Sequence, residues 1–440
     1  MTIMIDKIFK QLWSQRRSNA WLFAELVVIS IFLWQAIDPL YTYTAIRQFP
    51  VGCDYDNVYI CKALVDVPKR IELYASKDNP NILEVGAYER MDNDILQVFK
   101  GVSEIPEIES TAYASLSPLS SMSQEAYTAD SASTLGGEAK ETRVWSYEGG
   151  GDLTGVFRIR DYFTGDIMEP LDNVYDIYIS YSAAMEMFGT TDCIGKEIYD
   201  FDWVTKKVNV RYTVKGIYKD IKENLYSLPI ATFIHYVREL DMPSRFLLRL
   251  KDGVDKERFV KEFNENIAGK LQAGAYSCSE LKPYGEEVDV MVEGERNGHY
   301  FQLFLSFFAV FCAFLGIVST FWIRTSARSG EIGIMRSMGA SRRRIIGQFV
   351  TEALLLVTMA FAVALPLIAH MVIANDFAQP VIYVTNVQLA EYCKAFATVP
   401  RFAVITVITY QIIAATAAAA AIIPAARACK TGIADALHEE

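Results

Sequence analysis

Long apolar runs constrain the fold of this 440-residue chain more than any other feature. Residues 300–323 contain no Asp, Glu, Lys or Arg, residues 345–375 contain only Glu352, and residues 402–426 contain none. Because about 20 apolar residues of helix cross the hydrocarbon core of a bilayer, each run predicts a transmembrane helix.

A fourth, shorter run lies nearer the start of the sequence. Residues 21–37 are apolar apart from Glu25, and Asp38-Pro39 follows them. No site of small residues suited to signal-peptide cleavage comes after this run, so we interpret it as an uncleaved membrane anchor.

The charges separate a soluble region from the apolar runs. The whole chain has a net charge of −11, but residues 44–299 alone have −15 and the remainder has +4. An acidic chain is not typical of nucleic-acid-binding proteins, which carry a basic surface. The expected fold class is an α-helical membrane domain with four transmembrane helices plus a large α+β extracytoplasmic domain inserted between the first and second helix.

The positive residues predict the orientation of the four helices, since Lys and Arg are retained in cytoplasmic loops. They cluster before the first helix, between the second and third, and after the fourth: Lys7, Lys10, Arg16, Arg17, Arg324, Arg328, Arg336, Arg342, Arg343, Arg344, Arg427 and Lys430. We therefore expect both termini in the cytoplasm, with residues 44–299 and the 376–401 loop outside it.

The first residues predict an amphipathic helix. Apolar side chains recur at helical spacing, at Ile5, Ile8, Phe9, Leu12 and Trp13. Such a helix would lie either in the inner interface of the membrane or against neighbouring transmembrane helices.

Between residues 44 and 299 the pattern is typical of short strands and helices. Residues rich in Val, Ile and Tyr predict strands at 57–65, 111–116 and 208–217, and helices are predicted at 92–101, 182–188 and 255–271. Residues 117–152 are rich in Ser, Thr and Gly, and we expect a loop-rich inserted lobe near 117–165.

The cysteines do not form a zinc-binding pattern or a disulfide framework. Cys53 and Cys61 are near enough in sequence to form a disulfide outside the cytosol, and two free buried thiols are an equal alternative.

The most informative segment lies between the second and third apolar runs. Its sequence, RTSARSGEIGIMRSMGASRRRIIGQFVTE, predicts a short helix that ends at Gly339, with Ser341 capping the next helix. Arg residues fill the first turn of that next helix, where cations oppose the helix dipole. Anionic lipid headgroups or an acidic partner surface would offset this cost.

This segment resembles the FtsX-type domain of ABC-transporter permeases, whose loop motif is R-x-x-E-I-G-I-x-R-x-x-G-A-S-x-x-x-I. The matching residues are Arg328, Glu331, Ile332, Gly333, Ile334, Arg336, Gly339, Ala340, Ser341 and Ile345, followed by Glu352-Ala353. The final residues also resemble the family, from Pro424 to Leu437, although Ala434 stands where the family commonly has Pro.

The middle of the chain resembles the MacB-type periplasmic core. Its resemblance lies in three short segments, residues 178–196, 212–217 and 248–250. The resemblance implies residues 1–43 as an amphipathic helix and first transmembrane helix, 44–299 as the periplasmic core, and 300–440 as the permease domain with coupling loop 324–344.

The resemblance also implies how the protein works. The coupling helix of the family sits in a groove of an ABC ATPase subunit, and two permease copies, or two related permeases, form a dimer. The residues implied in coupling are Arg328, Glu331, Ile332, Gly333, Ile334, Arg336, Gly339, Ala340 and Ser341. The implied location is the bacterial inner membrane, and a periplasmic adaptor or outer-membrane channel is a further partner that the resemblance leaves open.

No ATPase motif occurs in the sequence. The pattern G-x-x-x-x-G-K-[ST] is absent, and Gly195-Lys196 lacks its other residues. We therefore expect no enzyme activity, metal or cofactor in this chain, with ATP and Mg²⁺ bound by a partner subunit.

Four residues carry individual expectations. We expect Glu331 to contact the ATPase or else pair with Arg328, and Gly339 to adopt a positive φ at the end of the coupling helix. Glu352 within an apolar run requires a partner, either an inner-loop Arg or a backbone group, and a proton path is the remaining alternative. Glu25 is expected to make a polar contact between helices.

Three functions follow from these patterns. The first is a permease subunit that couples ATP hydrolysis to export of peptide, toxin or lipidated cargo by mechanotransmission. The second is an FtsX-like regulator that signals across the membrane to an outer hydrolase or sensor. The third, a membrane-anchored enzyme, has the least support because no catalytic constellation is evident.

Overall fold

Each of the four apolar runs, the third as far as residue 374, forms part of a longer helix in the computed structural model, which describes residues 16–77, 79–120, 122–129, 142–202, 207–237, 245–374 and 399–429. The predicted amphipathic helix of residues 5–13, most of the 376–401 loop and the residues after 429 lie outside the described residues.

The helices are α1 (Arg16–Arg47), α2 (Val67–Tyr74), α3 (Ala87–Ser103), α4 (Leu153–Val156), α5 (Tyr181–Phe188), α6 (Lys256–Glu262), α7 (Tyr284–Met291), α8 (Glu293–Ala327), α9 (Ser329–Ser337), α10 (Arg342–Ala374) and α11 (Val399–Ala428). The strands are β1 (Val58–Val65), β2 (Ile108–Leu116), β3 (Ser123–Thr128), β4 (Thr142–Gly151), β5 (Asp176–Ser180), β6 (Glu197–Asp202), β7 (Lys207–Tyr218), β8 (Thr232–Tyr236), β9 (Arg245–Leu250), β10 (Gln272–Ala273), β11 (Tyr276–Cys278) and β12 (Lys282–Pro283).

Helices α1, α8, α10 and α11 are long and apolar enough to cross a membrane. Helix α1 continues through Asp38-Pro39 to Arg47, although the apolar run ends at residue 37. A proline within a transmembrane helix is tolerated where neighbouring groups satisfy the freed backbone. The first helix is therefore longer than its apolar run indicates.

These four helices and α9 form one compact unit, the helical unit. Its core consists of apolar side chains from all of them, and fully buried alanines such as Ala360 and Ala364 of α10 and Ala420 and Ala421 of α11 belong to that core. Small side chains let helix backbones approach closely, so α10 and α11 pack tightly against one another.

The second compact unit, the β-rich unit, contains Ile46–Gly294. Its strands form a twelve-stranded sheet in the order β10-β11-β1-β9-β2-β4-β3-β6-β7-β5-β8, with β12 on β1. An additional pairing of β4 with β8 closes six strands into a ring. The β4–β8 and β5–β7 pairs are parallel and the others are antiparallel. The predicted strands and helices of this region are confirmed, and the unit is α+β.

The loop-rich lobe predicted near 117–165 is wrong for residues 123–128 and 142–151, which form strands. Strand β3 and strand β4 both belong to the sheet, and Tyr147 of β4 is fully buried. The glycines of β4 led to the loop prediction. Gly150 nevertheless suits the strand, because a Cβ at this position would overlap the ring of Tyr113 on β2. Apart from the short helix α4, hydrogen-bonded turns and bridges occupy residues 152–168, as the prediction expected of a loop region.

Candidate functional site

The segment that carries the loop motif forms a short helix with well-defined ends. Helix α9 begins after Arg328 and ends before Met338. Gly339 follows with φ of +87°, and its N–H donates to the Arg336 carbonyl while the Ala340 N–H donates to the Met335 carbonyl. This pair of bonds is a Schellman motif, which requires a left-handed residue where Gly339 stands. The predicted positive φ of Gly339 is confirmed.

One face of α9 packs into the helical unit. Ile332 and Gly333 are buried, and Met335 and Ala340 pack against the same core as Ile345 and Phe349 of α10. Helix α9 is therefore held against the transmembrane helices by its apolar side.

The opposite face of α9 is exposed. Glu331, Ile334 and Met338 recur at helical spacing, and Ile334 and Met338 are 50% and 75% exposed. Arg336 lies on the other side of the helix and is half-buried. Large apolar side chains at such exposure, flanked by charges, are typical of a surface that binds a protein or a membrane.

Helix α10 starts beside this stripe with a concentrated positive charge. Ser341 caps it, since its carbonyl accepts from the N–H groups of Arg344 and Ile345 and its Oγ lies 3.4 Å from the Arg344 nitrogen. Arg342, Arg343 and Arg344 are all exposed. Three cations at a helix N-terminus are unfavourable within the chain, so they favour an anionic partner outside it.

Arg328 joins α9 to α10. Its Nε donates to Glu331 Oε2 at 2.9 Å, and its Nη1 donates to Glu352 Oε2 at 3.3 Å. The guanidinium also lies 5.3 Å from the centre of the Phe349 ring, within the range of a cation–π contact. Glu352 is only 3% exposed. Of the partners expected for Glu352, the structure thus shows the Arg of the loop, Arg328. Glu331 also pairs with Arg328, which was the alternative to an ATPase contact, and its side chain stays exposed.

Glu25 lies against another helix, at a glycine. Its carboxylate lies directly against Gly316 of α8, where a Cβ would overlap it. Glycine is therefore suited to this position of α8, because a side chain there would overlap the carboxylate of α1.

Sequence reasoning missed a second buried ion pair in the helical unit. Arg401 Nε of α11 lies 3.3 Å from Asp38 Oδ1 of α1, and both side chains are almost completely buried. Trp34 of α1 donates to Thr406 Oγ1 of α11 at 3.2 Å nearby. The available signal was that Asp38 and Arg401 each flank an apolar run and carry opposite charges.

The β-rich unit contains a buried lysine at the end of α1. Lys222 Nζ donates to the Ile46 carbonyl at 2.6 Å, and its backbone N–H donates to the Val51 carbonyl. A cation at a helix C-terminus is favourable, because the last carbonyls are otherwise unsatisfied. Burial lowers the pKa of Lys222 to about 8, and the charge of Arg47 acts in the same direction.

His235 lies in a buried polar cluster of the same unit. Tyr127 Oη and His235 Nε2 are 2.7 Å apart, and Tyr127 also contacts Glu125 and Ser146. Burial lowers the pKa of His235 to about 3, so the ring is neutral. The rings of Tyr127, Tyr212 and Phe233 surround it, which makes it a core residue. Among the residues that the structure describes, no group of His, Cys, Asp or Glu is arranged to hold a metal ion.

The comparisons with known proteins identify the C-terminal part of the chain. Residues 303–432 match the family described as FtsX-like permease C-terminal, which confirms the resemblance drawn from the loop motif. No curated protein matches the chain.

Three solved structures are similar to the chain at low identity. The periplasmic region of MacB from Actinobacillus actinomycetemcomitans is 12% identical, with 57% of this chain and 98% of that chain covered and a TM-score of 0.31. A domain of a putative permease protein from Porphyromonas gingivalis is 16% identical, with coverage of 54% and 94% and a TM-score of 0.31. The extracellular domain of the noncanonic ABC-type transporter YknZ from Gram-positive bacteria is 11% identical, with coverage of 50% and 99% and a TM-score of 0.28.

Proposed function

We propose that this chain is the permease subunit of an ABC transporter of the MacB/FtsX type. A separate ATPase subunit binds ATP and Mg²⁺ and docks on α9, and its hydrolysis cycle drives conformational change in the β-rich unit. This mechanotransmission serves export of peptide, toxin or lipidated cargo. The family match over residues 303–432 supports the permease assignment.

The exposed stripe of α9 is the observation that carries the proposal. Ile334 and Met338 offer apolar side chains at the centre of a surface that Glu331 and the arginines of α10 surround with charge. An apolar centre with a polar rim is the usual arrangement of a protein interface. The acidic partner surface expected from Arg342, Arg343 and Arg344 would also remove their conflict with the dipole of α10.

The contacts of Arg328 supply a route from that surface to a transmembrane helix. Arg328 precedes α9 and binds Glu352 in α10, so displacement of α9 pulls on a buried carboxylate within the apolar helix. A buried ion pair resists separation more strongly than an exposed one. Movement of the docked ATPase would thus reach α10 without depending on the exposed Arg328–Glu331 pair.

The proposed orientation places α9 in the cytoplasm and the β-rich unit outside the bacterial inner membrane. The arginines that flank α9 support it, since positive loops stay on the cytoplasmic side. At the other end of α1 and α11, the charges Asp38 and Arg401 neutralise one another in a buried pair. This neutral pair therefore leaves unchanged the excess of positive charge on the α9 side of the membrane.

A second permease copy is part of the proposal. Helix α8 carries a stripe of exposed aromatic side chains at helical spacing, Phe301, Phe304, Phe308 and Phe311. The rings of Phe304 and Phe308 are stacked, with their centres 6.3 Å apart. We assign this aromatic stripe to contact with the second copy, with lipid at its margins.

The docking proposal is tested by Ile334→Glu combined with Met338→Glu. Because both side chains point away from the core of the helical unit, the substitutions should leave membrane insertion intact and remove the apolar centre of the interface. The readout is the amount of a P-loop ATPase that co-purifies with the full-length chain from its native membranes.

Val85→Glu is the matched control, since Val85 is a fully exposed apolar residue of the β-rich unit. We expect the double variant to lose most of the ATPase and the control to retain it. Equal recovery from both variants would contradict docking on α9.

A further inference from the structure

Two thiols of the β-rich unit meet on one face of the sheet. Strands β1 and β11 are antiparallel, and Cys278 of β11 lies opposite Ala63 of β1. Cys61 is two residues from Ala63 and therefore points to the same face, diagonal to Cys278. Cys61 is 1% and Cys278 is 6% exposed, and both belong to one apolar cluster with Tyr59 and Tyr276.

The pairing of Cys53 with Cys61 that the sequence left open does not occur. Cys53 packs against the cluster on the other face of the sheet, together with Val58 and Ile60, whereas Cys61 faces away from it. Both thiols are free in this structure. The strand alternation thus separates the two cysteines that are close in sequence and brings together two that are far apart.

We propose that Cys61 and Cys278 are a redox pair, which thiol–disulfide exchange with an external disulfide converts into an intramolecular disulfide. One thiol loses its proton and attacks the external disulfide, which releases the first external thiol and leaves a mixed disulfide. The second cysteine, deprotonated in turn, attacks the protein sulfur of that mixed disulfide and releases the second external thiol. The pair loses two electrons and two protons, and the external disulfide is reduced to two thiols.

The position of the pair in the sheet provides access to the external disulfide. Strand β11 lies between β1 and the two-residue strand β10 at the end of the sheet order. So short an end strand opens more readily than the centre of a sheet. The neighbouring thiol and burial raise the pKa of Cys61 above its usual range, so exchange should accelerate as pH rises.

This inference does not depend on the coupling function. It concerns only the β-rich unit, and a cross-link between β1 and β11 would join the first strand of that unit to one near its end. In the proposed orientation the pair lies outside the cytosol, where disulfides persist.

The experiment uses the purified full-length protein in detergent, treated with oxidised glutathione at pH 8. The protein is then denatured, alkylated without a reductant and digested for mass spectrometry. We expect a peptide that links Cys61 to Cys278 and that disappears when dithiothreitol is added first.

Three single variants give the controls. Cys53→Ala should leave the linked peptide unchanged, and Cys61→Ala and Cys278→Ala should each abolish it. The wild-type protein alone decides the outcome if a variant fails to fold. Alkylation of both Cys61 and Cys278, a mixed glutathione disulfide without the cross-link, or a link from Cys61 to Cys53 would each overturn the proposal.

Discussion

The contacts of Arg328 predict that two neighbouring ion pairs differ sharply in their contribution to stability. Arg328→Ala leaves Glu352 buried without this cation, and breaking a buried ion pair by removing one partner costs about 3–5 kcal/mol. Glu331→Ala breaks the other pair of Arg328, but Glu331 is 62% exposed, so its loss should cost only about 0–1 kcal/mol.

The assay is thermal unfolding of the full-length protein in one detergent, followed by a probe in the helical unit. For a unit of this size, about 4 kcal/mol corresponds to a fall in Tm of roughly 10 °C, whereas Glu331→Ala should lower it by no more than about 3 °C. The double variant Arg328→Met with Glu352→Leu removes both charges and should recover most of the loss, because an apolar pair replaces a buried ion pair without an orphaned charge.

Equal, small shifts for Arg328→Ala and Glu331→Ala would refute the reasoning, because Glu352 would then not depend on Arg328. A double variant as unstable as Arg328→Ala would refute it differently. It would show that the contact with Phe349 or the backbone position, and not the charge of Glu352, causes the loss.

Three further predictions concern the backbone, a buried base and the orientation. Gly339→Ala should destabilise the helical unit by about 1–2 kcal/mol, because an alanine is strained at the left-handed φ of this position. Gly347→Ala, at an exposed position inside α10, should instead stabilise the unit by about 1 kcal/mol. Equal effects of the two substitutions in thermal unfolding would show that the φ of Gly339 does not matter. The depressed pKa of His235, about 3 against 6.5, means that the unfolded chain binds the extra proton between these values, so the free energy of unfolding rises with pH across that window. His235→Gln should lose this dependence, up to roughly 4 kcal/mol between pH 6.5 and 3, and a wild-type pH profile parallel to that of the variant in urea titrations would contradict it. In a cysteine-free background, Thr164→Cys should react with an impermeant thiol reagent in intact cells and Ser337→Cys should not, both being exposed positions; the reverse labelling would overturn the proposed orientation.

The sequence predicted the elements whose pattern is local. Four apolar runs predicted four helices, and the residues of the loop motif predicted a helix ended by Gly339, because a cap and a breaker are encoded within a few residues. The same holds for strands β1 and β7, whose β-branched and aromatic residues are contiguous.

What the sequence could not predict depends on partners far along the chain. Strand β4 contains three consecutive glycines, which favour a loop, since nothing local shows that the ring of Tyr113 will occupy the space of a side chain. The pairing of Asp38 with Arg401 needs the packing of α1 on α11, which no spacing in the sequence expresses. For Glu352, burial in an apolar helix predicted that a partner exists, and the fold decided that it is Arg328.

The length of α8 has a geometric consequence. It contains 35 residues, so at ~1.5 Å per residue it is about 52 Å long, against ~30 Å for the hydrocarbon core of a bilayer. Roughly 20 Å of this rod must therefore project beyond the lipid tails at one end or both. A rod amplifies angles into distances: a change in tilt of about 5° about one end displaces the other by about 4–5 Å over this length. A rearrangement too small to disturb the packing around one end of α8 can thus become a displacement larger than a side-chain contact at its other end.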